Sequence, residues 1–127
     1  MLDIDHFKQF NDRFGHDGGD ALLRELGPML QKTVRKEDIA CRYGGEEFLL
    51  ALPDASFEDT VARAEQLQNM AQALDVVHRG RSLDQVTLSL GVAVFPTHGT
   101  TTDILIRAAD TALYRAKQNG RSRVEVA

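Results

Sequence analysis

Two aspartates separated by one residue, Asp3 and Asp5, follow the apolar start of this 127-residue sequence. Residues two apart on a strand point to the same side, and divalent cations such as Mg²⁺ prefer carboxylate oxygens. Asp5 also has the side chain of a helix N-cap, and we expect that role for it. Asp3 has no capping role and lies at the C-terminal end of a strand predicted over residues 1–4, where ligands of α/β sheets usually bind. Asp3 is therefore a candidate metal ligand, although this spacing alone has low specificity.

A second acidic group, Gly44-Gly45-Glu46-Glu47, stands between two short apolar runs over residues 39–43 and 48–52. Paired glycines tolerate the positive φ angles of tight turns, so the pattern predicts a β-hairpin with this tip. Adjacent carboxylates at a tip repel each other unless a cation or a proton offsets their charge. The glycines also leave room for a phosphate or a base to approach. A glycine turn followed by solvated acids is the alternative.

The segment over residues 11–20 contains Asn11, His16, Asp20 and three glycines. An amide and a carboxylate in a turn can accept hydrogen bonds from the donors of a guanine edge. The structural alternative is a plain helix-turn-helix, with His16 at a helix end.

Basic residues are concentrated at the other end of the chain. From Arg107 onward five basic and two acidic residues give a charge of +3, whereas the whole sequence carries −4. Lys117 and Arg121 lie at the end of a predicted helix, where cations also favour the helix dipole. A carboxylate site facing a basic rim suits a metal-bound polyphosphate.

Composition excludes several classes of protein. A sequence pI near 5.5 argues against non-specific binding to DNA or to anionic lipid. The single cysteine, Cys41, cannot form an internal disulfide, which favours a reducing compartment. The longest apolar run, residues 48–52, is far shorter than the roughly 20 residues that span a bilayer. We therefore predict one soluble cytoplasmic domain over residues 1–127, with no direct membrane contact.

Apolar spacing predicts the elements that position these groups. The predicted helices run from Asp5 to Gly15, from Asp17 onward with a kink or break at Gly27-Pro28, through residues 61–74 and over residues 103–118. Strict alternation over residues 86–94 predicts a strand, and a short last strand is predicted over residues 124–126. Helices alternating with strands around a central hairpin predict an α/β (α+β) fold, a ferredoxin-like mixed β-sheet covered by helices.

Taken in order, these groups resemble the GGDEF family, the diguanylate cyclases, over residues 2–124. The resemblance is carried by the runs DIDHFKQFNDRFGHDGGD, CRYGGEEF, SLGVA and ADTALYRAKQNGR. The signature is present in the GGEEF form at residues 44–48. The resemblance implies an enzyme that condenses two GTP into cyclic di-GMP and releases pyrophosphate.

The resemblance also implies roles for individual residues. Asp3, the carbonyl of Ile4, Glu46 and Glu47 would hold Mg²⁺ or Mn²⁺, and Glu46 would accept the proton of the 3′-hydroxyl. Other residues would contact the nucleotide. Asn11 and Asp20 would recognise guanine, and His16 would lie near the ribose and phosphates. Lys8 and the amides near Phe7 would contact the phosphates, and Lys117 and Arg121 would contact the triphosphate. Gly44 and Gly45 would contact the nucleotide at the tip.

Family members bind one GTP per domain, so the resemblance implies a homodimer of facing domains for catalysis. Arg35 and Asp38 match the R-x-x-D inhibitory site that binds cyclic di-GMP, although Gln66 replaces an arginine that some members have on the next helix. The family's upstream helix and the start of its first strand are missing here, which predicts an upstream sensor or receiver domain in a longer protein. A non-catalytic module that binds GTP or cyclic di-GMP is the alternative function. A related two-metal cyclase acting on ATP, or making a mixed dinucleotide, is a third.

Overall fold

Three helices and seven strands make up the chain in the computed structural model, which describes all residues 1–127. The helices are α1 (Phe7–Thr33), α2 (Phe57–Gln72) and α3 (Thr102–Gln118). The strands are β1 (Leu2–Ile4), β2 (Ile39–Arg42), β3 (Glu47–Ala51), β4 (Val77–His78), β5 (Arg81–Ser82), β6 (Leu88–Val92) and β7 (Val124–Val126). None of the helices combines the length and the apolar character that a membrane span requires.

Five strands form one sheet in the order β2-β3-β1-β6-β7. Only β6 and β7 pair in parallel; β1 pairs antiparallel with both neighbours, so that Leu2 stands between Phe48 and Leu90. The predicted mixed sheet covered by helices is confirmed, and so is the hairpin formed by β2 and β3. The short strand β1 is therefore central, and its C-terminal end lies between the hairpin and β6.

Both faces of the sheet are covered, which explains why all five residues of β6 are buried. The larger core joins alternate strand residues such as Leu2 and Leu90 to Leu22, Leu26 and Leu67 of α1 and α2. A smaller core joins Met1 to Ala109 and Leu113 of α3. The alternation over residues 86–94 identified the strand correctly, but α3 buries the intervening residues as well.

Helix α1 differs from the prediction at its start, whereas the predicted interruption at Gly15 is confirmed. His6, in the left-handed region at φ 55°, is the N-cap and makes no side-chain capping hydrogen bond, so the prediction that Asp5 caps the helix is wrong. Gly15, at φ 76° and ψ 171°, leaves the helical region and ends a first helical segment as predicted; a second segment follows across a kink, so α1 consists of two helices. The helical geometry continues through Pro28, so no break occurs there.

The hairpin of β4 and β5 was not predicted, because two-residue strands carry no periodic signal. It turns through Arg79 and Gly80, both at positive φ. The Arg79 guanidinium pairs with the Asp17 carboxylate of α1 at 2.9 Å. This is the carboxylate that was expected to cap a second helix. This exposed ion pair lies between the hairpin and α1, close to the kink in the helix.

An apolar cavity of about 720 Å³ lies beside Met1 and is lined by residues of β3, β6, α2 and α3. Its lining includes Leu50, Leu67, Ala93 and Leu105.

We predict that Gly91→Ala destabilises the protein by about 1–3 kcal/mol or more, since overpacking costs about that much. A Cβ at this position in β6 would overlap the backbone carbonyl of Ala109 and the amide of Leu113 in α3. Urea denaturation measures the loss. Gly45→Ala is the matched control, because a Cβ there meets nothing within 4 Å. Equal stability of the two variants would contradict the close packing of α3 on β6.

Candidate functional site

Asp3 places a buried carboxylate at the C-terminal end of the central strand. The residue is 3% exposed, and its Cα is paired with that of Glu47 on β3. Its Oδ2 accepts a hydrogen bond from Lys117 Nζ at 2.6 Å. Lys117 lies in the last turn of α3, so the packing of that helix on the sheet brings a cation over the end of β1.

The charge at this end of the sheet is only partly compensated. Burial raises the pKa of Asp3 and the neighbouring Asp5 raises it further, while Lys117 and Arg121 oppose the shift. Burial also raises the pKa of Glu46, and the negative charges of Asp3 and Glu47 add to that effect. At Glu46 the like charges of Asp3 and Glu47 outweigh the opposing charge of Lys117, whereas at Asp3 burial is the main cause of the raised pKa.

The hairpin tip is fixed by its own backbone. The carbonyl of Glu47 accepts from the amides of Tyr43 and Gly44 at 2.8 and 3.1 Å, and the amide of Ile4 donates to the carbonyl of Glu46 at 3.2 Å. The Arg42 guanidinium donates to the carbonyls of Gly44 and Gly45. These contacts hold the two glutamates next to Asp3 and Ile4 without using their carboxylates.

The four predicted metal ligands therefore lie together, on β1 and at the start of β3. No group of three or more His, Cys, Asp or Glu side chains is arranged to hold a metal ion. The donor chemistry nevertheless fits a hard cation, because the carboxylates of Asp3 and Glu46 carry charge that a cation would offset. The assignment of these residues as metal ligands stays a prediction.

Asn11 of α1 has a buried side-chain oxygen, Oδ1, with no hydrogen-bond partner. The absence of a side chain at Gly19 makes room for this oxygen, and Phe7 lies beside the same glycine. Buried polar atoms are nearly always hydrogen-bonded, so this acceptor points to a donor from outside the chain. Lys8, His16 and Asp20 are exposed.

Arg121 lies in a turn of unusual geometry between α3 and β7. Gly120, Arg121 and Ser122 have successive φ values of 113°, 62° and 49°. Non-glycine residues in the left-handed region cost about 1–3 kcal/mol each and persist only where their surroundings hold them. The Ser122 amide donates to the Asp5 carboxylate at 3.0 Å. Asp5 thus bonds this turn instead of capping α1, a role that its position in the sequence does not indicate.

Arg35 and Asp38 form a separate site before the hairpin. The Arg35 amide and its Nη2 donate to the Asp38 carboxylate at 2.7 and 3.1 Å. Burial would raise the pKa of Asp38, but these hydrogen bonds outweigh it and lower the pKa. Both residues line a pocket of about 280 Å³ together with Gln66 and Arg63, a cation that sequence reasoning missed.

Comparison with known proteins places these features in a family context. The model of the family described as "Diguanylate cyclase, GGDEF domain" matches residues 1–123. Response regulator PleD of Caulobacter vibrioides is 42% identical over 125 residues, which are 98% of this chain and 28% of that protein. Diguanylate cyclase A of Treponema denticola is 38% identical over 98% of this chain and 33% of that protein. The chain thus spans about a third or less of these relatives.

Solved structures agree with the sequence comparison. The GGDEF domain of DgcB from Caulobacter crescentus, solved in complex with c-di-GMP, has a TM-score of 0.91 and 33% identity, covering 98% of this chain and 74% of that one. The GGDEF domain of PA1120 from Pseudomonas aeruginosa has a TM-score of 0.93 and 34% identity, covering 99% and 78%.

We predict that Glu46→Gln raises the free energy of unfolding at pH 7 by about 0.5–2 kcal/mol, a common gain for one stabilising substitution, because it removes a partly buried negative charge beside Asp3 and Glu47. A folded-state pKa raised above the unfolded value means that the folded state loses stability as pH rises through the carboxyl range. Glutamine does not ionise and so avoids this loss. From pH 4 to pH 7, a range of about three units in which glutamate ionises, the urea midpoint of the variant should therefore fall less than that of the wild type. Glu65→Gln, at an exposed position of α2, is the control. A lower stability for Glu46→Gln at pH 7 would contradict the excess negative charge at the site.

Proposed function

This chain belongs to the GGDEF domain family, and we propose that it is a diguanylate cyclase, which condenses two GTP into cyclic di-GMP and releases pyrophosphate. One observation carries the proposal: the buried Asp3 carboxylate beside the GGEEF tip, where burial and like charge raise the pKa of both Asp3 and Glu46. Carboxylates in that state are prepared to bind a cation or to take a proton.

Glu46 is the proposed general base. Its raised pKa brings its proton affinity closer to that of a base working near neutral pH, which suits removal of the 3′-hydroxyl proton of GTP. Lys117 and Arg121 would bind the triphosphate. Lys117 bonds the Asp3 carboxylate at 2.6 Å, where the proposed cation would bind, so we expect the lysine to leave Asp3 for a phosphate oxygen when metal and nucleotide bind.

Asp3, Glu46, Glu47 and the carbonyl of Ile4 are the proposed holders of Mg²⁺ or Mn²⁺. Such a cation, when bound, polarises the phosphoryl oxygens and neutralises charge that develops on them. The protein itself positions these ligand oxygens at the C-terminal end of the central strand, through the pairing of β1 with β3.

Guanine is the proposed base, recognised by Asn11 and Asp20. The unpartnered Oδ1 of Asn11 can accept a hydrogen bond, and the guanine edge carries adjacent N–H donors at N1 and N2. Adenine offers only its N6 amino group and has an acceptor at N1. The backbone near Phe7 with Lys8 and His16 would contact the phosphates and ribose, and Gly44 and Gly45 would leave space at the tip.

We also propose a partner for catalysis, a second copy of this domain, and a regulatory site at Arg35 and Asp38. Since each domain would carry one GTP, catalysis requires a homodimer with two sites facing each other. Arg35 and Asp38 are the proposed inhibitory site for cyclic di-GMP, and Arg63 supplies a second cation in that pocket where Gln66 supplies none. Control by an upstream sensor or receiver domain and a cytoplasmic location remain part of the proposal.

We predict that Glu46→Gln abolishes formation of cyclic di-GMP while GTP still binds. The amide cannot accept the hydroxyl proton, but it preserves the shape of the tip. Chromatography of the reaction products measures turnover, and calorimetry with a GTP analogue measures binding. Glu65→Gln should keep both activities. Turnover by Glu46→Gln at the wild-type rate would remove Glu46 from the mechanism. GTP binding without product in the wild-type chain would instead support a nucleotide-binding module.

We predict that Asp20→Ala weakens the preference for GTP over ATP by about 1–3 kcal/mol, the value of a good bidentate base contact. Competition binding with the two nucleotides measures this preference. Asp12→Ala, which removes another exposed carboxylate from α1, should leave it unchanged. An unaltered preference in Asp20→Ala would contradict the guanine assignment.

A further inference from the structure

Asp5 carries a buried carboxylate that neither the helix cap nor the proposed reaction uses. The residue is 5% exposed. Its Oδ1 accepts from the hydroxyl of Ser89 at 2.6 Å, and its Oδ2 accepts from the hydroxyl of Thr87 at 2.7 Å and from the amide of Ser122 at 3.0 Å. An ionised carboxylate is an acceptor only, with room for all three donors. Asp5 therefore joins β6 to the turn that precedes β7.

That turn needs external support. Arg121 and Ser122 both have left-handed backbone geometry, which side chains with a Cβ adopt only when held. Gln68 and Gln72 of α2 donate to Ser122 from the other side. Ser122 is thus fixed between α2 and the Asp5 carboxylate, and the exposed Arg121 precedes it directly in the chain.

We infer that Asp5 is a positioning residue for Arg121: it holds the Gly120–Ser122 turn so that the Arg121 guanidinium faces the same nucleotide phosphates as Asp3 and Lys117. Asp5 directly follows β1 and accepts from the Ser122 amide at 3.0 Å, so the turn and the end of β1 lie side by side. Asp3 and Asp5 are two residues apart on one segment. A movement of the turn relative to β1 would therefore separate the phosphate-binding cation from the carboxylate site. This inference rests on the proposed function, since it takes a nucleoside triphosphate as the ligand.

The test compares GTP affinity between variants without turnover. The probe is a GTP analogue with a methylene group in place of the oxygen between the α and β phosphorus atoms, titrated by calorimetry with Mg²⁺. We expect Asp5→Asn to weaken binding about tenfold or more, as for a lost hydrogen bond to a charged group. The asparagine amide has one acceptor oxygen and no charge, so the bond to the Ser122 amide is lost in one orientation of the amide and becomes a weaker neutral bond in the other.

Two further variants separate positioning from general stability. Ser89→Ala removes a donor to Asp5 but leaves the turn contact intact, so it should lower the thermal midpoint and change the affinity by less than about twofold. Ser122→Gly added to Asp5→Asn should restore most of the affinity, because glycine adopts positive φ without strain. A purely structural role for Asp5 would not produce this recovery.

Each alternative outcome has a definite meaning. Unchanged affinity in Asp5→Asn, an equal loss in Ser89→Ala, or no recovery with Ser122→Gly would overturn the inference and leave the proposed function standing. Failure of the wild-type chain to bind the analogue would overturn the proposed function as well. If Asp5→Asn does not fold, hydrogen exchange of the wild-type protein decides: the Ser122 amide should be as protected as the amides of β6, and fast exchange would contradict its bond to Asp5.

Discussion

The carboxylate of Asp3 is buried at the end of a strand that pairs on both sides, so it cannot turn towards solvent for its hydration. A buried charge requires a partner, and Lys117 supplies one from the last turn of α3. The pair constrains both elements: α3 must cross the sheet so that its C-terminal turn reaches β1, and the absence of a side chain at Gly91 lets it approach β6 that closely. The hairpin then brings Glu46 to the same place, where the lysine no longer balances the negative charge.

The residues that carry this arrangement could be predicted from the sequence because their signals are local. Paired glycines between two apolar runs indicated the hairpin and its tip correctly, although neither Gly44 nor Gly45 adopts the positive φ on which that prediction was based. Apolar periodicity indicated α2 and α3. Asp3 was identified because a strand end gave its side chain no structural role. The family resemblance then placed these groups in one site, and the sheet order brings β1 and β3 together as that site requires.

Other features depend on contacts between distant segments and could not be predicted. Asp5 has the side chain of an N-cap, but the hydroxyls of Thr87 and Ser89 and the Ser122 amide outcompete that role from more than 80 residues away along the chain. The β4–β5 hairpin is flanked by the buried Val76, whose carbonyl accepts from the Leu83 amide, a contact that two-residue strands do not reveal in the sequence. Arg63 joins the Arg35 pocket only because α2 packs across the segment that precedes the hairpin.

The most direct test of this account is a crystal structure with Mn²⁺ and the uncleavable GTP analogue. The account predicts an anomalous peak within bonding distance of the Asp3 and Glu46 carboxylates, with Lys117 withdrawn from Asp3 and bound to a phosphate oxygen. Guanine should lie with its N–H edge on Asn11. A nucleotide bound elsewhere, or one bound at this site with Lys117 still paired to Asp3 and no metal beside the two carboxylates, would contradict the claim that the excess negative charge here is a metal-nucleotide site.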